Sequence, residues 1–272
     1  MKVLESRPTI EGAGVNLKRV FGYYEVPQFD PFLLLDHFGS DNPADYLAGF
    51  PWHPHRGIET VTYMISGEVE HGDSIGNKGV IKSGDVQWMT AGGGIIHQEM
   101  PKRFEGFMRG FQLWVNLPSS QKMMGPRYRD IRSDQIPEVT AEPGVKVKIV
   151  SGEMLNTKGP VQDLVIDIEY FDVSIEPDAS FTHKLKDGFN AFCYVFEGLG
   201  NFQNEKISRE HAVLFKGVDS VKVESGKTPL RYLFVSGKPI GEPVAWRGPI
   251  VMNTQEELGL AFYEYRNGTF IK

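Results

Sequence analysis

Seven histidines are scattered through this 272-residue chain, and three of them stand where they could do chemistry together. His53 and His55 flank Pro54, and His97 is followed two residues later by Glu99. Alternate residues of an extended strand point to one side, so each pair leaves its strand in a common direction. A hairpin path between the two strands would bring three imidazoles and one carboxylate to a single point. Imidazole suits iron, copper, nickel and zinc, while carboxylate suits harder ions such as iron and manganese. The spacing predicts a first-row transition-metal site built on His53, His55 and His97 with one carboxylate, for which Glu99 is a candidate. The competing reading is a set of surface or turn histidines whose spacing is accidental. Glu59 is a rival carboxylate: if the strand runs unbroken from the histidines, Glu59, Val61, Tyr63 and Ile65 share their face. Spacing alone leaves Glu99 and Glu59 both open.

The elements that must position these residues read as short strands. Thr60-Val61-Thr62-Tyr63-Met64-Ile65 is strand-like, and the Gly-rich stretch 72–79 should reverse the chain. Residues 80–89 read as strand, turn, strand. Gly92-Gly93-Gly94 follows, and three consecutive glycines cost enough backbone entropy to imply unusual dihedrals or a close approach near the metal. Phe111-Gln112-Leu113-Trp114-Val115-Asn116-Leu117 alternates, with Gln112, Trp114 and Asn116 on one side; Gln112 and Trp114 are candidates to line a cavity.

Residues 119–143 are polar and Pro-containing, the pattern of an inter-domain linker. A second series of strands then begins, in which residues 191–198 parallel 60–67. His183 falls loosely where the first His pair would be, without an HxH or a later His-x-Glu. A duplicated barrel whose second copy has no metal site accounts for this pattern. Near the end, Thr254 and Glu257 form a capping box. Leu258, Ala261, Phe262 and Tyr265 then share one face of a helix that Asn267-Gly268 stops, and that face should pack on its own protein.

Bulk properties exclude several classes. The chain is 40 % hydrophobic and 24 % charged, ordinary for a globular protein with a real core. Net charge is −6 with scattered Lys and Arg, so no basic footprint for direct nucleic-acid or anionic-membrane binding exists. One cysteine, Cys193, excludes internal disulfides and fits a reducing compartment; in an apolar run it reads as an inert buried thiol. The first residues carry no apolar core of signal-peptide length, which with the absence of a bilayer-spanning run gives a cytoplasmic expectation. Thirty glycines and 17 prolines punctuate short runs rich in aromatic and β-branched residues, the mark of an all-β sandwich or barrel. His37 and His71 read as structural or solvent-facing, and His183 and His211 have no partners at ligand spacing.

An HxH followed by a Gly-rich turn and a further His resembles the general cupin signature. The particular wording is narrower. Asp30-Pro31-Phe32-Leu33-Leu34-Leu35-Asp36-His37-Phe38-Gly39 and His53-Pro54-His55-Arg56-Gly57-Ile58-Glu59-Thr60-Val61-Thr62-Tyr63 closely resemble the pirin family. So do Gly84-Asp85-Val86-Gln87-Trp88-Met89-Thr90-Ala91-Gly92, Gln112-Leu113-Trp114-Val115-Asn116-Leu117-Pro118, and Gly248-Pro249-Ile250-Val251-Met252-Asn253-Thr254. The resemblance implies an all-β bicupin, two stacked antiparallel double-stranded β-barrels with a short C-terminal amphipathic helix. It suggests a metal-binding barrel at 1–130, a second barrel without metal at 131–247 and an extension at 248–272.

The resemblance also places iron in the N-terminal barrel only, on His53, His55, His97 and Glu99, with Glu59 holding an imidazole from behind. Gly93 stands where many pirins carry a larger residue, a difference expected to bear on access. Fe(II) is the expected metal, other divalent transition metals being compatible with the donors. The implied activity is a quercetin 2,3-dioxygenase type of oxidoreductase acting on a chelating flavonol and O2, with loss of carbon monoxide and Glu99 as the catalytic base. The alternative is a non-enzymatic, iron-dependent redox sensor that binds a protein partner as a transcription co-regulator. A metal isomerase or hydrolase is a third reading.

Overall fold

The computed structural model describes all 272 residues. Strands dominate, and the one α-helix, α1 (Gln255–Arg266), lies near the C-terminus. No helix is long and apolar enough to cross a membrane.

The chain forms two compact units, each assembled from separated segments. The first contains Arg7–Pro27, Phe32–Ser133 and Ile240–Lys272. Its seven-stranded antiparallel sheet runs in the order Arg127–Ile131, Val86–Thr90, Ile58–Ser66, Met108–Asn116, Phe32–Ser40, Val15–Phe21 and Arg7–Glu11. A four-stranded sheet runs Phe50–His55, Ile95–Pro101, Val69–Asp73 and Lys78–Ile81. Val15, Leu17, Phe38, Met64 and Met108 from the larger sheet bury against Val69 and Ile81 from the smaller. Strand period explains the two faces of the larger sheet. Along Met108–Asn116, Phe111, Leu113 and Val115 are buried on one side while Gln112 and Trp114 remain partly open on the other.

The second unit contains Met1–Ser6, Gln28–Pro31 and Asp134–Pro239. Its larger sheet runs Lys2–Glu5, His211–Phe215, Asn190–Glu197, Leu230–Gly237, Ile168–Ile175, Val145–Ser151 and Glu138–Glu142. Its smaller sheet runs Ser180–Lys184, Ser220–Ser225, Leu199–Phe202 and Glu205–Ser208. Apart from the first edge strand of the larger sheet, Arg127–Ile131 in one unit and Lys2–Glu5 in the other, the strands follow the same chain order as in the first unit, which is the duplication suggested by residues 60–67 and 191–198. His183 lies on the strand equivalent to Phe50–His55. There it meets Glu169 at 3.1 Å, and the neighbouring strand presents Val221 and Val223 to an apolar core. Cys193 is buried in that core.

Three expectations change. Residues 119–143 are more than a linker: Arg127–Ile131 and Glu138–Glu142 are edge strands of the two larger sheets. Their polar composition reflects the half-exposed edges of sheets. The compact units also interleave along the chain, so they are not consecutive blocks: residues 240–272 belong with the histidine-bearing unit. Finally, the strand does not run unbroken from the histidines to Glu59. Gly57 has φ +79°, and a Cβ there would lie 1.9 Å from the Val251 carbonyl oxygen. Only glycine permits that turn and close approach, and the chain crosses here from the smaller to the larger sheet.

The helix follows its sequence signals. Thr254 caps it in a reciprocal box with Glu257, Leu258 and Ala261 are buried, and Gly268 takes φ +72° beyond the end. Its apolar side joins Ala245, Ile250, Met252 and Phe270 in a small core.

Candidate metal centre

Register brings the two His-bearing strands together. His53 pairs directly with His97, and His55 with Ile95, so all three histidines project from one face of the smaller sheet. Their ligand nitrogens all lie within 4.8 Å of one another. A β-bulge follows between His97 and Glu99, leaving Glu99 opposite Phe50 on one neighbour and His71 on the other. Glu99 lies outside that histidine cluster but lines the same cavity as His53 and His55.

Tautomers follow from backbone carbonyls. His53 Nδ1 lies 2.9 Å from the Pro51 oxygen, and His55 Nδ1 lies 3.0 Å from the Pro249 oxygen. A carbonyl only accepts, so both Nδ1 atoms carry hydrogen and both Nε2 atoms present lone pairs. Those two Nε2 atoms face each other at 3.1 Å. Burial, with His53 adding to it, pushes His55 well below the usual imidazole pKa, so protonation of His55 does not relieve the opposition. A shared cation does. Two nitrogens each about 2.1 Å from one ion and at right angles lie about 3 Å apart. His97 points the same way: it is buried, with neither ring nitrogen hydrogen-bonded, and burial then His55 and His53 lower its pKa well below normal. The donor set fits a transition-metal ion.

Glu99 is buried, which raises its pKa, while His53, the Thr62 hydroxyl and His71 act in the opposite direction. Thr62 Oγ1 sits 3.0 Å from Glu99 Oε1 and 2.6 Å from Gln112 Oε1. One hydroxyl hydrogen cannot serve two acceptors. With Glu99 ionised, Thr62 donates to it and the Gln112 amide turns its N–H2 toward Thr62. Gln112 therefore supports Glu99 indirectly. Trp114 packs edge-on to the His55 ring, centroids 5.0 Å apart, and lines the cavity.

Glu59 is elsewhere. Thr60 and Thr62 alternate with it along Ile58–Ser66, so its side chain leaves the opposite face. There its carboxylate accepts hydrogen bonds from Trp88 Nε1 at 3.0 Å and Thr90 Oγ1 at 2.5 Å. Carbonyls, not Glu59, orient the His53 and His55 imidazoles. The glycine run also acts at one remove. Gly92 has φ +50°, and a Cβ there would lie 2.1 Å from the Met124 oxygen, while Gly93 approaches the Met123 backbone. The close approaches are to neighbouring chain, and Gly93 does not line the cavity.

Sequence reasoning missed the role of the C-terminal segment. Besides the Pro249 carbonyl on His55, the Val251 N–H donates to the Arg56 carbonyl at 3.1 Å. The buried Arg56 guanidinium reaches Glu264 of α1 at 2.6 Å and the Phe270 carbonyl at 2.7 Å. Lys122, also buried, donates to the Gly57 and Val251 carbonyls and to Asn116 Oδ1; burial lowers its pKa to about 7. His71 is buried beside Glu99 and under Tyr128, not solvent-facing. Asp36, a lone acid in an apolar run, also lines the cavity, where it pairs bidentately with Arg19.

The cavity has a volume of about 870 Å³, within the range of small-molecule sites, and Leu34, Trp114 and Trp246 give it apolar walls. Comparison with known proteins agrees with this architecture. The pirin family model matches residues 14–115, and the pirin C-terminal cupin domain model matches 170–271. A pirin-like protein of Caulobacter vibrioides is 45% identical, covering 99% of this chain and 98% of the relative. Pirin-1 of Arabidopsis thaliana is 41% identical, covering 94% and 89%. The crystal structure of a quercetin 2,3-dioxygenase from Acinetobacter baumannii superimposes with TM-score 0.92 at 31% identity, covering 99% and 97% of the two chains. With its two cupin domains, the chain belongs to the pirin family.

Proposed function

We propose that this chain is an iron-dependent dioxygenase of the quercetin 2,3-dioxygenase type, with His53, His55, His97 and Glu99 as ligands. The observation that carries the reading is the pair of Nε2 lone pairs opposed at 3.1 Å inside a cavity sized for a small aromatic molecule. The Acinetobacter baumannii structure, named for that activity, supports the choice among cupin chemistries.

Ferrous iron, when bound, supplies the one-electron chemistry that makes O2 reactive, and other divalent transition metals suit the same donors. The chain's own residues do the rest. Glu99 accepts the proton of the substrate hydroxyl at its carboxylate, and Thr62, backed by Gln112, holds that carboxylate in position. Trp114 and Trp246 offer ring faces and edges to a flat substrate, and with Leu34 they exclude water from the reacting end. The carbonyls of Pro51 and Pro249 keep both Nε2 atoms aimed inward.

Oxygen uptake by anaerobically Fe(II)-loaded protein given quercetin tests the proposal, with His97→Ala as the control. Uptake in the parent chain, lost in the variant, is the expected result. One bound iron without uptake would sink the enzymatic reading and favour the redox-sensing one, to be pursued as protein-partner binding that differs between Fe(II) and Fe(III). Turnover without O2 would favour an isomerase or hydrolase.

A further inference from the structure

Five rings run in contact from the histidine cluster to the surface. His55 meets Trp114 at a centroid distance of 5.0 Å, Trp114 meets Trp246 at 5.8 Å, Trp246 meets Tyr23 at 5.6 Å and Tyr23 meets Tyr24 at 5.7 Å. Separations of this kind put neighbouring rings edge to face or tilted, in van der Waals contact. Trp114, Trp246 and Tyr23 line the cavity, and an aromatic wall for a flat substrate would account for those three. It does not account for Tyr24, which lies outside the cavity lining and is 85% exposed, so it gains almost nothing from burial.

Indole and phenol rings are among the few side chains that lose one electron and can be restored. Contact lets the electron vacancy pass from ring to ring. The two ends of this series differ: Trp114 is half-buried, whereas the Tyr24 phenol stands in water and can release its proton as it is oxidised. That makes the exposed end the sink.

We propose that Trp114, Trp246, Tyr23 and Tyr24 form an escape path that carries an oxidising equivalent from the histidine cluster to solvent when peroxide or O2 is reduced there without substrate. The proposal rests on the site holding a redox-active metal, as inferred above. In the step, a peroxide-derived one-electron oxidant at the His55 end takes an electron from Trp114 and a proton from water. Trp246, Tyr23 and Tyr24 refill the vacancy in turn, and the Tyr24 phenol gives its proton to water. A thiol or ascorbate-class reductant in solution then returns one hydrogen atom to Tyr24. The path spares His53, His55 and His97 from oxidation.

The test uses full-length protein loaded with Fe(II) anaerobically, then given one equivalent of hydrogen peroxide without substrate. Freeze-quenched electron paramagnetic resonance reads tyrosyl radical, and peptide mass spectrometry maps where oxygen atoms or crosslinks accumulate. Tyr263, 60% exposed like Tyr23 but on α1 and outside the series, reports oxidation by diffusing radicals. In the parent chain the radical signal and products should concentrate at Tyr23 and Tyr24, well above Tyr263. Trp246→Phe keeps an aromatic wall but removes the oxidisable ring; Tyr24 product should fall to the Tyr263 level and oxidation should move to the histidines. Trp246→Tyr should restore the outward pattern. Iron content is measured for each protein, which separates the two claims. Failure of the parent chain to bind iron overturns both. Bound iron with equal Tyr24 oxidation in the parent and in Trp246→Phe overturns the escape path alone and leaves the three inner rings as a cavity wall.

Discussion

Replacing Glu264 by alanine should destabilise the histidine-bearing unit by about 3 kcal/mol. Arg56 is 2% exposed, and its guanidinium is held by Glu264 at 2.6 Å, the Phe270 carbonyl at 2.7 Å and the Phe270 ring face at 4.2 Å. Removing the carboxylate leaves a buried cation with one carbonyl and a ring. Breaking such a pair from one side costs roughly 3–5 kcal/mol. The Glu264 side chain keeps 14% exposure, so water can enter the vacated place, which favours the low end. Lys272, the other partner of Glu264, is half exposed and adds little. For a unit of this size the loss should lower Tm by roughly 6–12 °C, read by scanning calorimetry. Arg56→Met added to Glu264→Ala should recover much of the loss, because the uncompensated charge is gone. The sign with pH is also set. Lys272 first, then Arg56, hold the Glu264 carboxyl below its ordinary 4.5. The stabilisation is therefore complete above that value, and the difference between parent and variant should fade as pH falls through the lower folded-state value. A Tm shift near zero at neutral pH, or strictly additive effects in the double variant, would refute the reasoning. Because the same C-terminal segment orients His55, iron affinity should fall by about tenfold in Glu264→Ala.

Glu59→Gln should cost about 1–3 kcal/mol by disturbing the buried bonds from Trp88 and Thr90, yet leave iron binding by equilibrium dialysis unchanged; loss of iron would restore Glu59 to the site. Gly57→Ala, with its Cβ 1.9 Å from the Val251 oxygen, should destabilise by about 3 kcal/mol or more and lower iron affinity as well, checked by denaturant unfolding and dialysis. His37, pushed down to about 3 by burial and by Arg109 and Lys18, stays neutral while the unfolded chain protonates near 6.5. Stability should therefore fall as pH drops from 6.5 toward 3, by up to about 1.4 kcal/mol per pH unit from this group, and His37→Gln should flatten that limb of a urea-midpoint profile.

What the sequence determined by itself was whatever depends on spacing along one strand or one helix turn. The period of two set His53 with His55 and marked the alternating face of Gln112 and Trp114; the Thr254–Glu257 box announced α1. Residues 60–67 against 191–198 betrayed the repeated sheet order for the same reason, since each is a local run of strand. What the tertiary structure alone decided was everything that needs two distant segments in register. Whether Glu59 shared the histidines' face turned on the crossing at Gly57, made by an approach to Val251 that no local pattern encodes. Pairing of His97 with His53, the bulge that offsets Glu99, and the Pro249 carbonyl that fixes the His55 tautomer are all contacts between separated stretches of chain. A strand's pleat is written in its own residues, but the partner it meets is chosen by the packing of the whole unit.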